Sequence, residues 1–211
     1  DIIGMFYLTS RICMWRGDVH FESTSQAGLL IIFFSSYAPL YYHAHPIHDT
    51  TQGLTCLKNA GVAHRDMSPE NLMVHDGQVY IIDLGMCLKI PSFHNDDHHY
   101  QQNQRALITP QTPCGKWYYL SPEVCQSEQP FDGPTVDLWA AGVILFIMLT
   151  GIPPWEEPRM SDENFKLMST GHLFEILTER RVGLSVDAMD LLQRMFWLDP
   201  TDRLSLEQVC D

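Results

Sequence analysis

An aspartate, an asparagine and a second aspartate occur in the first half of the chain at spacings that suit phosphoryl transfer. Asp66 and Asn71 lie in segment 64–71, HRDMSPEN, and Asp83 begins the triplet 83–85, DLG. Phosphoryl transfer needs a carboxylate that orients the attacking hydroxyl and oxygen ligands for magnesium. Asp66 can supply the first. Asn71 and Asp83 can supply the second, since Mg²⁺ takes few protein oxygens beside phosphate and water.

A short hairpin is predicted to bring two of these residues together. Two β-branched runs, residues 72–74 and 79–82, flank the turn signal Asp76-Gly77. Such a hairpin places Asn71 and Asp83 at neighbouring strand ends, where both can reach one metal ion.

Helical patterns surround this hairpin. A helix beginning near Thr50 is predicted to end at Gly61, which suits a left-handed cap. Residues 135–149 are apolar almost all round and predict a helix buried on every side. Shorter helices are predicted at residues 164–168, 173–177 and 186–197.

With later motifs, the chain resembles the C-terminal lobe of eukaryotic protein kinases of the Ser/Thr type. These motifs are 121–123 SPE, 137–142 DLWAAG, 151–155 GIPPW and 199–203 DPTDR. The resemblance implies a C-lobe over residues 49–211, a mainly α (α+β) helical bundle with a small β-hairpin at the catalytic face. It further implies transfer of the γ-phosphoryl group of ATP to Ser or Thr of protein substrates, with ATP and Mg²⁺ as cofactors.

The resemblance also assigns site residues. Asp66 and Asn71 are expected to be catalytic, Asn71, Asp83 and Gly85 to bind the cofactor, and Asn71 and Asp83 to hold Mg²⁺. His64 is expected to be a packed structural residue. Glu70 is expected to contact a substrate arginine only if the protein prefers basic sequences.

Regulatory and scaffold roles follow from the same resemblance. Arg65 is similar to the arginine that pairs with a phosphorylated activation loop, for which Thr109 and Thr112 are the candidate sites. Unmodified threonines in a solvated loop are an equally open alternative. The resemblance further implies that Glu123 pairs with Arg203 and that Asp137 holds the backbone of the catalytic loop.

Two positions depart from the family pattern. Ser68 stands where Ser/Thr kinases usually carry Lys, two residues after Asp66, and Lys116 stands where they usually carry Thr. Both positions face the same pocket in relatives. We therefore interpret Lys116 as a catalytic residue that supplies the cation which Ser68 lacks.

The first 48 residues differ in character from the rest. Apolar runs at residues 2–8 and 29–34 lack clean strand alternation, no G-x-G precedes His64, and the first lysine is Lys58. An N-lobe is therefore expected to be missing or degenerate. Residues 1–48 are interpreted as a poorly patterned remnant, either from the N-lobe and hinge or from mis-splicing.

Three interpretations follow from this difference. The chain is a fragment or faulty gene model of an active kinase, a pseudokinase-like binding or regulatory module, or a product without a stable fold. The intact residues Asp66, Asn71 and Asp83 favour the first.

Composition limits the partners. Thirteen basic against 26 acidic residues give a net charge of −13, which argues against nucleic acid or an anionic membrane as partner. Six cysteines without a C-x-x-C pair indicate reduced thiols in an intracellular, cytoplasmic protein. Histidines occur at positions 43, 45, 48, 94, 98 and 99. They favour a polar loop over a zinc site. The sequence does not determine the oligomeric state.

Overall fold

The computed structural model describes residues 40–76, 78–91, 106–126 and 128–210. The apolar runs at residues 2–8 and 29–34 lie outside the described residues, and so do the histidines at positions 94, 98 and 99.

Helices dominate the described part of the chain. They are α1 (Leu40–Asn59), α2 (Pro122–Gln126), α3 (Gly133–Thr150), α4 (Glu163–Ser169), α5 (Leu173–Glu179), α6 (Val186–Met195) and α7 (Leu206–Cys210). The strands are β1 (Val62–Ala63), β2 (Leu72–His75), β3 (Gln78–Ile81) and β4 (Leu88–Lys89). Strands β2 and β3 form an antiparallel hairpin with Leu72 opposite Ile81, and β1 pairs with β4. The mainly helical architecture with a small hairpin agrees with the predicted fold class.

Helix α3 forms the centre of the core, as its apolar sequence predicted. Pro134 lies in its first turn, where a missing N–H costs nothing, and Gly151 ends it in a left-handed conformation with φ 76°. By length and composition this helix could cross a bilayer, but 78% of it is buried inside the domain. It is therefore the core helix of the fold.

An aromatic cluster packs on α3 at Trp139. The Trp139 ring centroid lies 5.4 Å from those of Trp155 and Phe196, and 5.9 Å from that of Phe165. All four side chains are almost fully buried. Because these rings come from α3, α4, the end of α6 and the loop after α3, the cluster joins these elements in the core.

Helix α1 begins earlier than the sequence pattern indicated. It starts at Leu40, ten residues before Thr50, and continues through Pro46. Pro46 and Ile47 are half-buried and His48 is exposed, so this part of the helix carries no apolar stripe that a pattern search could detect. Its C-terminal end at Asn59 agrees with the prediction, and Gly61 adopts φ 72°.

Helix α6 ends two residues before the predicted limit of Trp197. The backbone carbonyls of Trp197 and Leu198 accept hydrogen bonds from Arg203, and the Leu198 N–H donates to Ser169 O. These contacts take both residues out of the helix. Helices α2 and α7 were not predicted, because five residues are too few to show a helical period.

Candidate active site

The catalytic loop, residues 64–71, is held by one buried carboxylate on α3. Asp137 Oδ2 accepts the His64 N–H and its Oδ1 accepts the Arg65 N–H, both at 2.7 Å. Arg65 is left-handed, with φ 68°, a conformation that persists only where neighbouring contacts impose it. Burial raises the pKa of Asp137 to about 7, while the two N–H donors stabilise its carboxylate. Asp137 therefore has the loop-holding position that the resemblance implied.

His64 links the catalytic loop to the strand that precedes Asp83. Its Nε2 lies 3.1 Å from Ile82 O, and the Asp66 N–H lies 3.3 Å from its Nδ1. This pattern assigns the proton to Nε2. Burial lowers the pKa of His64 below its ordinary value, because the neutral ring is favoured in a site without solvent. The residue is fully buried, and its structural role stays a prediction.

Asp66 and Asn71 are in direct contact. Asn71 Nδ2 donates to Asp66 Oδ2 at 3.1 Å and to the Asp66 carbonyl at 2.6 Å. The Ile82 N–H donates to Asn71 O at 2.9 Å, so Asp83 follows directly beside Asn71 at the end of the hairpin. The Asn71 side chain thus holds Asp66, and a backbone hydrogen bond between Ile82 and Asn71 places Asp83 beside them.

The residues expected to bind a metal have suitable groups available. Asp66 engages the Asn71 amide nitrogen, which leaves Asn71 Oδ1 for a metal. Asp83 is exposed and left-handed, with φ 61°, and its Oδ1 accepts the Gly85 N–H at 3.1 Å. Two oxygen ligands of this kind fit Mg²⁺, which keeps water and phosphate in its remaining positions.

No cluster of three or more His, Cys, Asp or Glu side chains that could hold a metal ion occurs within the part of the chain that the structure describes.

Two of the described cysteines, Cys87 and Cys125, are not suited to thiol chemistry. Burial raises the pKa of Cys87 to about 12 and that of Cys125 to about 11, so neither is a thiolate at neutral pH.

Lys116 reaches the catalytic loop at the position of Ser68. Its Nζ donates to Ser68 Oγ at 2.7 Å and lies 3.0 Å from Glu70 Oε2. Burial acts to raise the pKa of Glu70, but hydrogen bonds to Lys116, to the backbone and to Ser68, together with the charge of Lys116, keep that pKa below its usual value. The ion pair with Glu70 was not predicted from the sequence. Its only local signal is an acid two residues after Ser68.

A glycine allows the segment that carries Lys116 to lie against the catalytic loop. Gly115 has φ 98°, and a Cβ there would lie 2.9 Å from Arg65 O and 3.4 Å from Asp66 Oδ1. Cys114 Sγ also contacts Arg65 O, at 3.8 Å. No other residue type would fit at position 115 without moving the loop.

Gly115→Ala is expected to destabilise the fold by about 1–3 kcal/mol, because it adds a backbone clash to an unfavourable φ. The matched control is Gly151→Ala, where φ is 76° but a Cβ would meet nothing within 4 Å. Urea unfolding of both variants measures the difference. Equal losses would show that the close approach at residue 115 contributes nothing.

Arg65 contacts the segment in which the two candidate phosphosites lie. Its Nη2 donates to Thr112 O and its Nη1 to Met86 O, both at 3.4 Å. The guanidinium also lies 5.9 Å from the Phe131 ring centroid. Thr109 and Thr112 are exposed, and their phosphorylation stays a prediction.

Glu123 and Arg203 form the expected pair, in bidentate geometry. Nη1 donates to Oε1 at 2.6 Å and Nη2 to Oε2 at 2.8 Å. The Arg203 side chain is 0% exposed and that of Glu123 is 13% exposed. The guanidinium also lies 4.6 Å from the Trp139 ring centroid. The pair therefore ties α2 to the aromatic cluster in the core.

The chain is similar in sequence to known protein kinases. The family model of the protein kinase domain matches residues 38–211. Serine/threonine-protein kinase CHK1 of Mycosarcoma maydis is 34% identical over 158 residues, which cover 74% of this chain and 22% of that protein. Serine/threonine-protein kinase DCLK3 of Homo sapiens is 36% identical over 165 residues, covering 77% and 23%. An Aurora kinase of Yarrowia lipolytica is 31% identical over 166 residues, covering 77% and 38%.

The chain thus spans less than two fifths of the length of these relatives. The match of the domain model nevertheless covers most of the chain and includes every site residue described above. The chain belongs to the eukaryotic protein kinase family.

Proposed function

We propose that this domain transfers the γ-phosphoryl group of ATP to serine or threonine hydroxyls of protein substrates. The observation that supports this most is the contact of Asp66 with Asn71, beside which the hairpin places Asp83. A carboxylate and two metal ligands in this arrangement are what phosphoryl transfer requires of a protein.

Asp66 orients the substrate hydroxyl. Because Asn71 holds its Oδ2, the other oxygen is available for the hydroxyl proton. As the bond from the hydroxyl oxygen to the γ-phosphorus forms, the bond to the oxygen that bridges the β- and γ-phosphorus atoms breaks. That oxygen leaves on ADP with the electron pair, and Asp66 takes the proton.

Asn71 and Asp83 would hold Mg²⁺. The ion, when bound, neutralises charge on the phosphate oxygens. The catalytic effect of this chain's own residues is then positioning: Asp137 and His64 fix the loop, and Asn71 fixes Asp66.

Serine and threonine are favoured over tyrosine as acceptors by segment 68–71, SPEN, which resembles the Ser/Thr pattern. The relatives named above are described as serine/threonine kinases or as an Aurora kinase.

Asp66→Asn is expected to lower kcat about 10²–10⁴-fold, because the asparagine amide cannot accept the hydroxyl proton. The measurement is transfer of labelled phosphate from Mg·ATP to serine and threonine peptides by the full-length protein. The matched control is Asp76→Asn, in the hairpin turn, where the Asp76 side chain is 89% exposed.

Equal transfer by the parent and the Asp66 variant would contradict the proposal. Nucleotide binding with transfer absent from both would instead support the pseudokinase-like module.

A further inference from the structure

We infer that Lys116, on the segment that precedes α2, provides the positive charge for the transferring phosphoryl group in place of a lysine at position 68. This inference rests on the proposed function and adds to it a catalytic residue from outside the catalytic loop. Residues 64–71 themselves contain Arg65 as their one arginine or lysine.

The position of the Lys116 ammonium carries the first step of the argument. Its Nζ lies 2.7 Å from Ser68 Oγ, two residues after Asp66. Ser68 is fully buried, so its hydroxyl is a fixed anchor for the ammonium. Residue 68 therefore lies next to the Lys116 ammonium, so a lysine at position 68 and the lysine at position 116 would place their charges in the same part of the site.

The backbone around Lys116 is also held in place. The preceding Gly115 lies closer to Arg65 O than a Cβ would permit, and a Cβ there would also be in van der Waals contact with Asp66 Oδ1. The following residues form a 3₁₀ turn, Trp117–Tyr119, in which the Tyr119 N–H donates to Lys116 O at 2.9 Å. The backbone that carries the Lys116 side chain is therefore fixed by contacts on both sides, and the ammonium lies at Ser68 and Glu70 of the catalytic loop.

The charge of Lys116 is available to a phosphate. Its side chain is 41% exposed, and its ionic partner Glu70 is 46% exposed. An exposed ion pair is weak, so phosphate oxygens of higher charge can replace or share the Glu70 contact. Arg65 is directed elsewhere, to the carbonyl oxygens of Met86 and Thr112.

Moving the charge back to position 68 tests this inference in the full-length protein. Lys116→Thr is expected to lower kcat about 10²-fold, the loss typical of one group that stabilises transition-state charge. Adding Ser68→Lys to that variant should return kcat to within about tenfold of the parent, because the charge is restored. The control is Lys166→Met, which removes an exposed lysine on α4 and should leave kcat unchanged.

Two kinetic results would overturn the inference. One is an unaltered kcat in Lys116→Thr. The other is the absence of rescue in a double variant that melts at the same temperature as the parent.

A binding measurement separates this inference from the proposed function. Calorimetric titration with Mg·ATP and with Mg·ADP compares affinities with and without the γ-phosphate. Lys116→Thr is expected to weaken ATP binding about tenfold, the loss of one charge-assisted hydrogen bond, and to change ADP binding less than about twofold. Ser68→Lys should reverse the loss.

The outcomes are distinct. If the parent transfers no phosphate but Lys116→Thr shows this ATP-specific loss, the proposed function fails, and only the contact of Lys116 with the γ-phosphate of bound ATP is supported. If both nucleotides respond equally to Lys116→Thr, the role of Lys116 is wrong whatever the activity. A parent that binds neither nucleotide overturns both.

Discussion

Replacing Glu123 by alanine is expected to lower the free energy of unfolding by about 3–5 kcal/mol. Arg203 would then keep its charge in the core with neither carboxylate oxygen to pair it. Only the carbonyl oxygens of Trp197 and Leu198 and the face of Trp139 would remain around it. Since small domains are stable by about 5–15 kcal/mol, this loss is a large share of the total. Chemical denaturation followed by tryptophan fluorescence measures it.

A second ion pair gives the matched control. Lys58 and Glu207 join α1 to α7, but their side chains are 36% and 57% exposed. Glu207→Ala should therefore cost only about 0–1 kcal/mol. A double variant with methionine at positions 123 and 203 should recover part of the Glu123→Ala loss, since it leaves no unpaired charge. Similar losses from Glu123→Ala and Glu207→Ala would contradict the assignment of Glu123 as the partner of a buried cation.

The parts of the fold that could be predicted are those encoded locally. The hairpin was visible because two β-branched runs flank a turn signal, and its strands, Leu72–His75 and Gln78–Ile81, lie within one residue of the predicted runs. Helix α3 was visible because its sequence is apolar throughout. The positions of Asp137, Glu123 and Arg203 came from resemblance, since nothing local in the sequence identifies partners 73 or 80 residues apart.

The features that could not be predicted depend on contacts between distant segments. Strands β1 and β4 are two residues each and exist only because they pair with one another. The Lys116–Glu70 pair joins two segments whose approach requires Gly115 and the turn that follows it. The N-terminal half of α1 was missed for a different reason. Pro46 and the histidines interrupt the apolar period from which a helix is predicted.

Asp137→Ala is expected to reduce both stability and phosphotransfer. Without the carboxylate, the N–H groups of His64 and Arg65 lose their acceptors at a site that is 3% exposed. Each buried unpaired donor costs about 1–3 kcal/mol, so the expected loss is about 2–6 kcal/mol. Arg65 would also lose the contact that supports its left-handed conformation, which moves Asp66 away from Asn71.

Asp137→Asn separates the two effects. Its amide oxygen can accept one N–H, but its NH₂ group faces the other donor, so about half of the stability should return while kcat stays low. Asp190→Ala is the control, because this exposed residue of α6 forms an exposed ion pair with Arg194 one turn away, and its loss should cost about 0.3–0.5 kcal/mol without changing kcat. Full activity in Asp137→Asn would contradict the argument, because one hydrogen bond would then suffice to position Asp66. We expect instead that the loop is catalytically competent only while one carboxylate accepts both backbone N–H groups.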